Sequence, residues 1–349
     1  MGIQKNTSIE NLARENVKGL KPYASARDEY VSDGSPMVFL DANENPFDNG
    51  YNRYPDPRQR KLKELLARQK GLQTSQILLG NGSDEVLDLI YRAFCEPGRD
   101  NVLTLPPTYG MYKVLADVNA VENREVLLES NFEPNVEGIL KAADQHSKIL
   151  FLCSPNNPTA NSFSRDRIRA LLEHFPGLVV IDEAYIDFSS EPSWLSELAQ
   201  WPRLIVTQTL SKAYGLAGIR LGICYASDEI IAILNKIKPP YNVNELTQQK
   251  AYEGVRDTEG VKKEVTQILS ERARLIQSLR AIPSVKEVYP SDANFVLARM
   301  DDAARRYGEL LSQGIVVRNR SGQPLCDNTL RFTVGTPGEN EKLIEALKS

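Results

Sequence analysis

Five short, almost uninterrupted apolar runs recur along the middle of this chain: Asn101–Leu105, Ile149–Cys153, Leu178–Ile181, Leu204–Gln208 and Gly222–Tyr225. Interspersed with them are stretches of helical periodicity at Met111–Val118, Val136–Gln145, Arg165–His174 and Trp194–Gln200. A strand that is apolar along its whole length is covered on both faces. Strands of that kind alternating with helices predict an α/β unit, a mostly parallel sheet with helices on both sides. Ligands of such sheets collect at the carboxyl ends of the strands, so the residues just past each run are the ones to read for function.

The chain has 349 residues, enough for two domains at ~100–200 residues each. The texture changes after Pro239-Pro240. Leu246–Leu279 reads as one long charged helical stretch. It leads to strands at Val285–Tyr289, Asn294–Arg299, Ile315–Arg318 and Leu330–Val334 and helices at Ala303–Gln313 and Glu339–Lys348, a smaller α+β domain. Val38-Phe39-Leu40 reads as a further short strand. The expected division is an arm over 1–30, a large domain over 46–264, and a small domain made of 31–45 plus 265–349.

Several classes of function are disfavoured. The net charge is −4 with no block of like charge, which argues against nucleic acid or anionic membrane as partner. The first 40 residues are too short and insufficiently basic for a DNA-binding module. No apolar run has the length of a membrane span, and Met1–Glu15 lacks the apolar core of a signal peptide. The four cysteines, Cys95, Cys153, Cys224 and Cys326, show no metal-ligand or redox spacing. That usage fits a reducing cytoplasm. His146 and His174 each close an amphipathic stretch, where a helix C-terminus explains them. No metal site is expected, and a histidine-based hydrolase is disfavoured.

Chemistry is concentrated at Thr209–Arg220, between two apolar runs: T-L-S-K-A-Y-G-L-A-G-I-R. A lysine in a small-residue loop just past a strand is a candidate nucleophilic amine, since burial disfavours its charged form. Thr209, Ser211 and Arg220 are donors suited to a phosphate. Together they suggest pyridoxal phosphate. The plainer alternative is that Lys212 is an ordinary surface lysine. Gly80-Asn81-Gly82-Ser83-Asp84-Glu85 feeds a helix, whose free N–H groups suit an anion; simple capping by Ser83 or Asp84 is the alternative. Three more clusters follow strands: Pro106-Pro107-Thr108-Tyr109, Ser154-Pro155-Asn156-Asn157-Pro158-Thr159 and Asp182-Glu183-Ala184-Tyr185. Each alone could be a turn, a helix start or rigid loop packing. Together they meet the demands of the cofactor. A buried carboxylate at Asp182 keeps the ring nitrogen protonated, Asn157 and Tyr185 can donate to the ring oxygen, and Tyr109 can stack.

These motifs, with Leu40–Pro46 and Asn52-Arg53-Tyr54-Pro55, make the chain resemble the fold-type I pyridoxal-phosphate aminotransferases (class II) over nearly its whole length. The nearest likeness is to the branch serving histidine biosynthesis. The resemblance implies a seven-stranded, mostly parallel sheet. It implies that Lys212 holds the cofactor and shuttles the proton, that Asp182 pairs with the ring nitrogen, and that Asn157 and Tyr185 hold the ring oxygen. Ser83, Asp84, Thr209, Ser211 and Arg220 would hold the cofactor phosphate. Tyr23, Arg318 and Arg331 would grip a phosphate on the substrate, with Tyr54 reaching in from a neighbouring subunit of a homodimer. Read from the residues alone, Arg318 and Arg331 have the alternative of pairing with surface carboxylates. The implied reaction moves an amino group from histidinol phosphate to 2-oxoglutarate, with Arg331 serving both anions. Broad-specificity or aromatic amino transfer and a threonine-phosphate decarboxylase-like lyase remain the alternatives. The family usually has glycine after Asn-Pro-Thr; Ala160 stands there, and the turn is expected to lose its φ > 0 freedom.

Overall fold

The computed structural model describes residues 8–22 and 37–348. Seven strands form the main sheet: β1 (Ile77–Asn81), β2 (Asn101–Thr104), β3 (Glu122–Glu125), β4 (Ser147–Cys153), β5 (Leu178–Asp182), β6 (Leu204–Thr209) and β7 (Leu221–Ala226), in the order β1-β7-β6-β5-β4-β2-β3. Strands β3, β2, β4, β5 and β6 run parallel, and β7 is antiparallel to both of its neighbours. The continuous apolar runs have the expected cause. In β5, Val179 and Ile181 enter one core cluster while Leu178 and Val180 enter the cluster on the opposite face. Strand β4 divides likewise, with Leu150 and Leu152 on one side and Ile149, Phe151 and Cys153 on the other.

The second sheet, β10-β11-β9-β8, is antiparallel throughout. It comprises β8 (Val285–Val288), β9 (Phe295–Met300), β10 (Arg318–Asn319) and β11 (Thr329–Thr333). Its apolar face packs on the helices Thr258–Arg280, Ala303–Ser312 and Pro337–Lys348 through Leu275, Leu279, Leu310, Leu330, Phe332 and Leu343. A small cluster of Ala160, Tyr185, Phe188 and Ala213 from the large sheet's loops with Ala293 and Phe295 joins the two units.

One strand was not read from the sequence, and five sequence expectations are corrected. Strand β3 is Glu-Asn-Arg-Glu, with no apolar residue to mark it; it is an edge strand, held by pairing to β2. Val38-Phe39-Leu40 is not a strand, and Val38 and Leu40 lie exposed. The long stretch 246–279 is two helices, Glu245–Arg256 and Thr258–Arg280. They break at Asp257, whose carboxylate accepts from Gly260 N at 3.0 Å and so caps the second helix. Of Ile315–Arg318 only Arg318, with Asn319, pairs as a strand. Trp194–Gln200 winds as a 3₁₀ rather than an α-helix, and Val136–Gln145 is helical only as far as Ala142.

Candidate active site

The sheet topology brings the candidate loops together. The carboxyl ends of β1, β2, β4, β5 and β6 lie at one edge, and antiparallel β7 starts there. Ser83, Asp84, Tyr109, Asn157, Asp182, Tyr185, Thr209, Ser211, Lys212 and Arg220 therefore line one cavity, joined by Cys153 and Ala184. The cavity measures about 120 Å³.

Asp182 ends β5 at the floor of the cavity, 4% exposed. The Tyr112 hydroxyl donates to its Oδ2 at 2.8 Å and Ala184 N to its Oδ1 at 3.2 Å. Burial pushes the Asp182 carboxyl above the usual range, and those two donors pull it back. Sequence reading missed Tyr112. It falls three residues after Tyr109 on the inward face of the helix Met111–Val118, but only the fold shows that this face meets the end of β5. Its ring stacks on Phe151 at 4.9 Å, and Phe151 on Tyr91 at 5.2 Å. Tyr91 Oη donates in turn to Tyr112 O at 2.7 Å. A rigid aromatic stack thus fixes the donor that holds the carboxylate.

Lys212 is solvent-accessible as a residue because it faces the cavity. Its Nζ stands 5.6 Å from the Tyr185 ring centroid. Burial of the amine pushes its pKa below that of an ordinary lysine, and the Arg331 and Arg220 charges push the same way, against Asp182. A neutral amine is the nucleophilic form, so the surroundings favour reaction at this position.

The anion end of the cavity is built around Gly82 and Gly222. The helix Ser83–Phe94 starts after Gly82 with no side chain capping its first turn, so the capping alternative for Ser83 and Asp84 does not hold. Asp84 instead accepts from Tyr109 Oη at 3.1 Å. Gly82 N donates to Arg220 O at 3.0 Å, and a Cβ on Gly82 (φ +81°) would lie 2.6 Å from Arg220 Nη2. A Cβ on Gly222 would lie 2.4 Å from Ser83 N. Only glycines let β7 and the guanidinium approach this loop so closely. Free helix-start amides plus a guanidinium form an anion cradle. Thr209 Oγ1 is engaged by Leu221 O at 3.1 Å and accepts from Ser211 N at 3.1 Å. It would have to release Leu221 O to donate to a ligand.

The 154–160 loop is tied to the 106–109 loop by Asn156, which is fully buried and also escaped sequence reading. Asn156 donates to Pro107 O at 2.8 Å and accepts from Thr108 Oγ1 at 3.0 Å. Beside it, Asn157 Nδ2 lies 3.5 Å from Tyr185 Oη, and Arg331 Nη1 of the small sheet donates to Asn157 Oδ1. Ala160 corrects one expectation: it is buried and takes φ +68° despite its Cβ. A left-handed non-glycine residue costs about 1–2 kcal/mol. Here it packs in the cluster with Tyr185, Ala213 and Phe295.

Not every expected residue reaches this cavity. Tyr54 is half exposed and stacks on Tyr241 at 4.5 Å, beside a separate concavity of about 520 Å³ bordered by Arg53, Asn244 and Leu246. Arg318 lies exposed on β10. Tyr23 falls outside the described residues.

The residues fit pyridoxal phosphate in their chemistry: an amine, a buried carboxylate, donors for a ring oxygen, an aromatic wall and an anion cradle. Comparison with known proteins agrees. Residues 34–347 match the family model described as aminotransferase class I and II. The histidinol-phosphate aminotransferase of Flavobacterium johnsoniae is 62% identical over 341 residues, 97% of this chain and 98% of that protein. The fold is similar to the crystal structure of the histidinol-phosphate aminotransferase of Clostridium acetobutylicum, with TM-score 0.79 and 28% identity over 85% of this chain and 90% of that one. It is also similar to the Sinorhizobium meliloti enzyme of the same name in complex with pyridoxal-5'-phosphate, with TM-score 0.77 and 25% identity over 85% and 82% of the two chains.

Proposed function

Because this chain belongs to the class I and II aminotransferase family, we propose that it transfers the amino group of histidinol phosphate to 2-oxoglutarate, giving imidazole acetol phosphate and glutamate in histidine biosynthesis. One observation carries the reading: Lys212 and Asp182 border a single cavity, and the guanidinium of Arg331 reaches Asn157 at its wall. The first two suit a carbonyl cofactor, and the third suits an anionic substrate.

Pyridoxal phosphate, when bound, would supply the sink for the electron pair left at the substrate carbon. Lys212 holds the cofactor by its amine and then moves the proton at the substrate carbon. Asp182 stays ionised and keeps the ring nitrogen protonated. Asn157 and Tyr185 steady the ring oxygen, and Tyr109 covers the ring. The main chain of Ser83 and Asp84, with Thr209, Ser211 and Arg220, holds the cofactor phosphate. Arg331 grips the substrate phosphate in one half-reaction and a carboxylate of 2-oxoglutarate in the other, since a guanidinium fork suits both. Tyr23 and Arg318 assist at the phosphate. The enzyme works as a cytoplasmic homodimer in which Tyr54 enters the partner's site, a two-fold arrangement common among oligomers.

The test is a panel of amino donors with the purified protein. Glutamate should form from 2-oxoglutarate when histidinol phosphate is the donor, at a rate well above that with aromatic amino acids. Release of carbon dioxide from threonine phosphate would overturn the reading, as would preference for an unphosphorylated donor.

A pH effect follows from Tyr112. Its hydroxyl stabilises the ionised Asp182. Tyr112→Phe removes that donor, so the carboxyl pKa rises further and protonation sets in at higher pH. The acid limb of the kcat/KM profile should move toward neutral pH, and the rate on that limb should fall about tenfold, as for a lost hydrogen bond to a charged group. Profiles of the two enzymes measured side by side check this; superimposable acid limbs would contradict it.

A further inference from the structure

Four arginines share one face of the small sheet, Arg299 of β9, Arg318 and Arg320 at β10, and Arg331 of β11, and the last three are the unusual ones. Arg318 stands opposite Arg331 in the β10–β11 ladder, and Asn319 opposite Leu330. Arg320 N donates to Thr329 O at 2.9 Å, carrying the pairing one residue beyond β10. Side chains alternate along strands, so Arg318, Arg320 and Arg331 lie on one face while Leu330 turns into the core. Like charges directly opposite each other weaken a ladder, and burying an unpaired guanidinium is costlier still.

Both penalties are present. The Nε atoms of Arg320 and Arg331 are buried without a hydrogen-bond partner among the described residues. Burial first, and the neighbouring arginines after it, lower both pKa values, that of Arg331 to about 10 in all. Among the described residues none of the three pairs with a carboxylate. Arg299, one strand away on β9, shows the usual arrangement: Tyr289 Oη lies 2.6 Å from its Nη2, and Glu287 Oε2 3.5 Å from its Nε. The charge of Arg320 also reaches the cavity, since it acts on the Tyr185 hydroxyl in the same sense as Arg331.

We propose that Arg320 is a specificity residue for the donor, completing with Arg331 a cationic face that favours the dianionic phosphate ester over the singly charged carboxylate of the acceptor. A phosphate ester carries a charge of about −1.5 to −2 at neutral pH. Arg331 alone can satisfy one carboxylate, whereas a second buried cation is matched only by the dianion. This rests on the proposed donor but names a residue that neither the motif nor the resemblance supplied.

The experiment compares the holoenzyme with Arg320→Gln and Arg320→Lys. It reads KM for histidinol phosphate, KM for 2-oxoglutarate, and inhibition by inorganic phosphate. Arg320→Gln should raise the donor KM about tenfold or more, the loss expected for one charge-assisted hydrogen bond, and weaken phosphate inhibition by a similar factor. KM for 2-oxoglutarate should change much less, and Arg320→Lys should recover part of the donor affinity. A parallel rise in both KM values, or no rise in either, would overturn the assignment. If the unaltered enzyme fails to use histidinol phosphate, the donor assignment falls while phosphate inhibition still decides Arg320. Inhibition weakened by Arg320→Gln supports its anion role, and unchanged inhibition refutes it.

Discussion

Lys212→Ala is expected to lower turnover by about 10⁴-fold or more, with the protein still folded and still able to take up pyridoxal phosphate. General acid–base transfer by one positioned group contributes about 10²–10⁴-fold, and this amine has a second task, the covalent hold on the cofactor. Removing it removes both. The fold should tolerate the change, because among the described residues the Lys212 side chain makes no hydrogen bond that supports its loop. The turn is closed by the backbone, with Gly215 N donating to Lys212 O at 3.1 Å and Leu216 N to Leu210 O at 3.0 Å. A transamination assay with a visible-absorbance scan checks both halves: turnover lost, cofactor bound without its covalent link. Substantial residual turnover would refute the role.

Asp182→Asn should be the next most damaging change, lowering turnover by about 10²–10³-fold, the range seen when one preorganised electrostatic partner is removed from an active site. The amide is nearly the same size, and the site gives it a hydroxyl and a backbone N–H for company, so the cavity should keep its shape. What is lost is the negative charge that keeps a ring nitrogen protonated. The two substitutions differ in a readable way. Asp182→Asn should leave cofactor attached at Lys212 while slowing the reaction, whereas Lys212→Ala should abolish attachment. Full activity in Asp182→Asn, measured with saturating donor and acceptor, would mean that the carboxylate does not serve the ring.

The large sheet was legible because its central strands are covered on both faces and so read as apolar runs. Strand β3 was not, because an edge strand of Glu-Asn-Arg-Glu is specified by its neighbour rather than by its own side chains. The break at Asp257 was written in a capping residue, yet helical periodicity on both sides masked it. At the site, residues that line the cavity could be read from chemistry plus position after a strand. Those that face other residues could not. Tyr112 and Asn156 act through Asp182 and the 106–109 loop, partners 70 and about 50 positions away in sequence. Arg320 escaped for a related reason: its meaning lies in the cross-strand register that sets it on the face of Arg331.

The central claim is that the amine of Lys212 and the carboxylate of Asp182 serve one cofactor ring. Its most direct test is borohydride reduction of the holoenzyme followed by peptide mass spectrometry. A reduced phosphopyridoxyl group is expected on Lys212 alone, and on the same residue in Asp182→Asn. Label on a different lysine, or none after reduction of an active enzyme, would contradict the account.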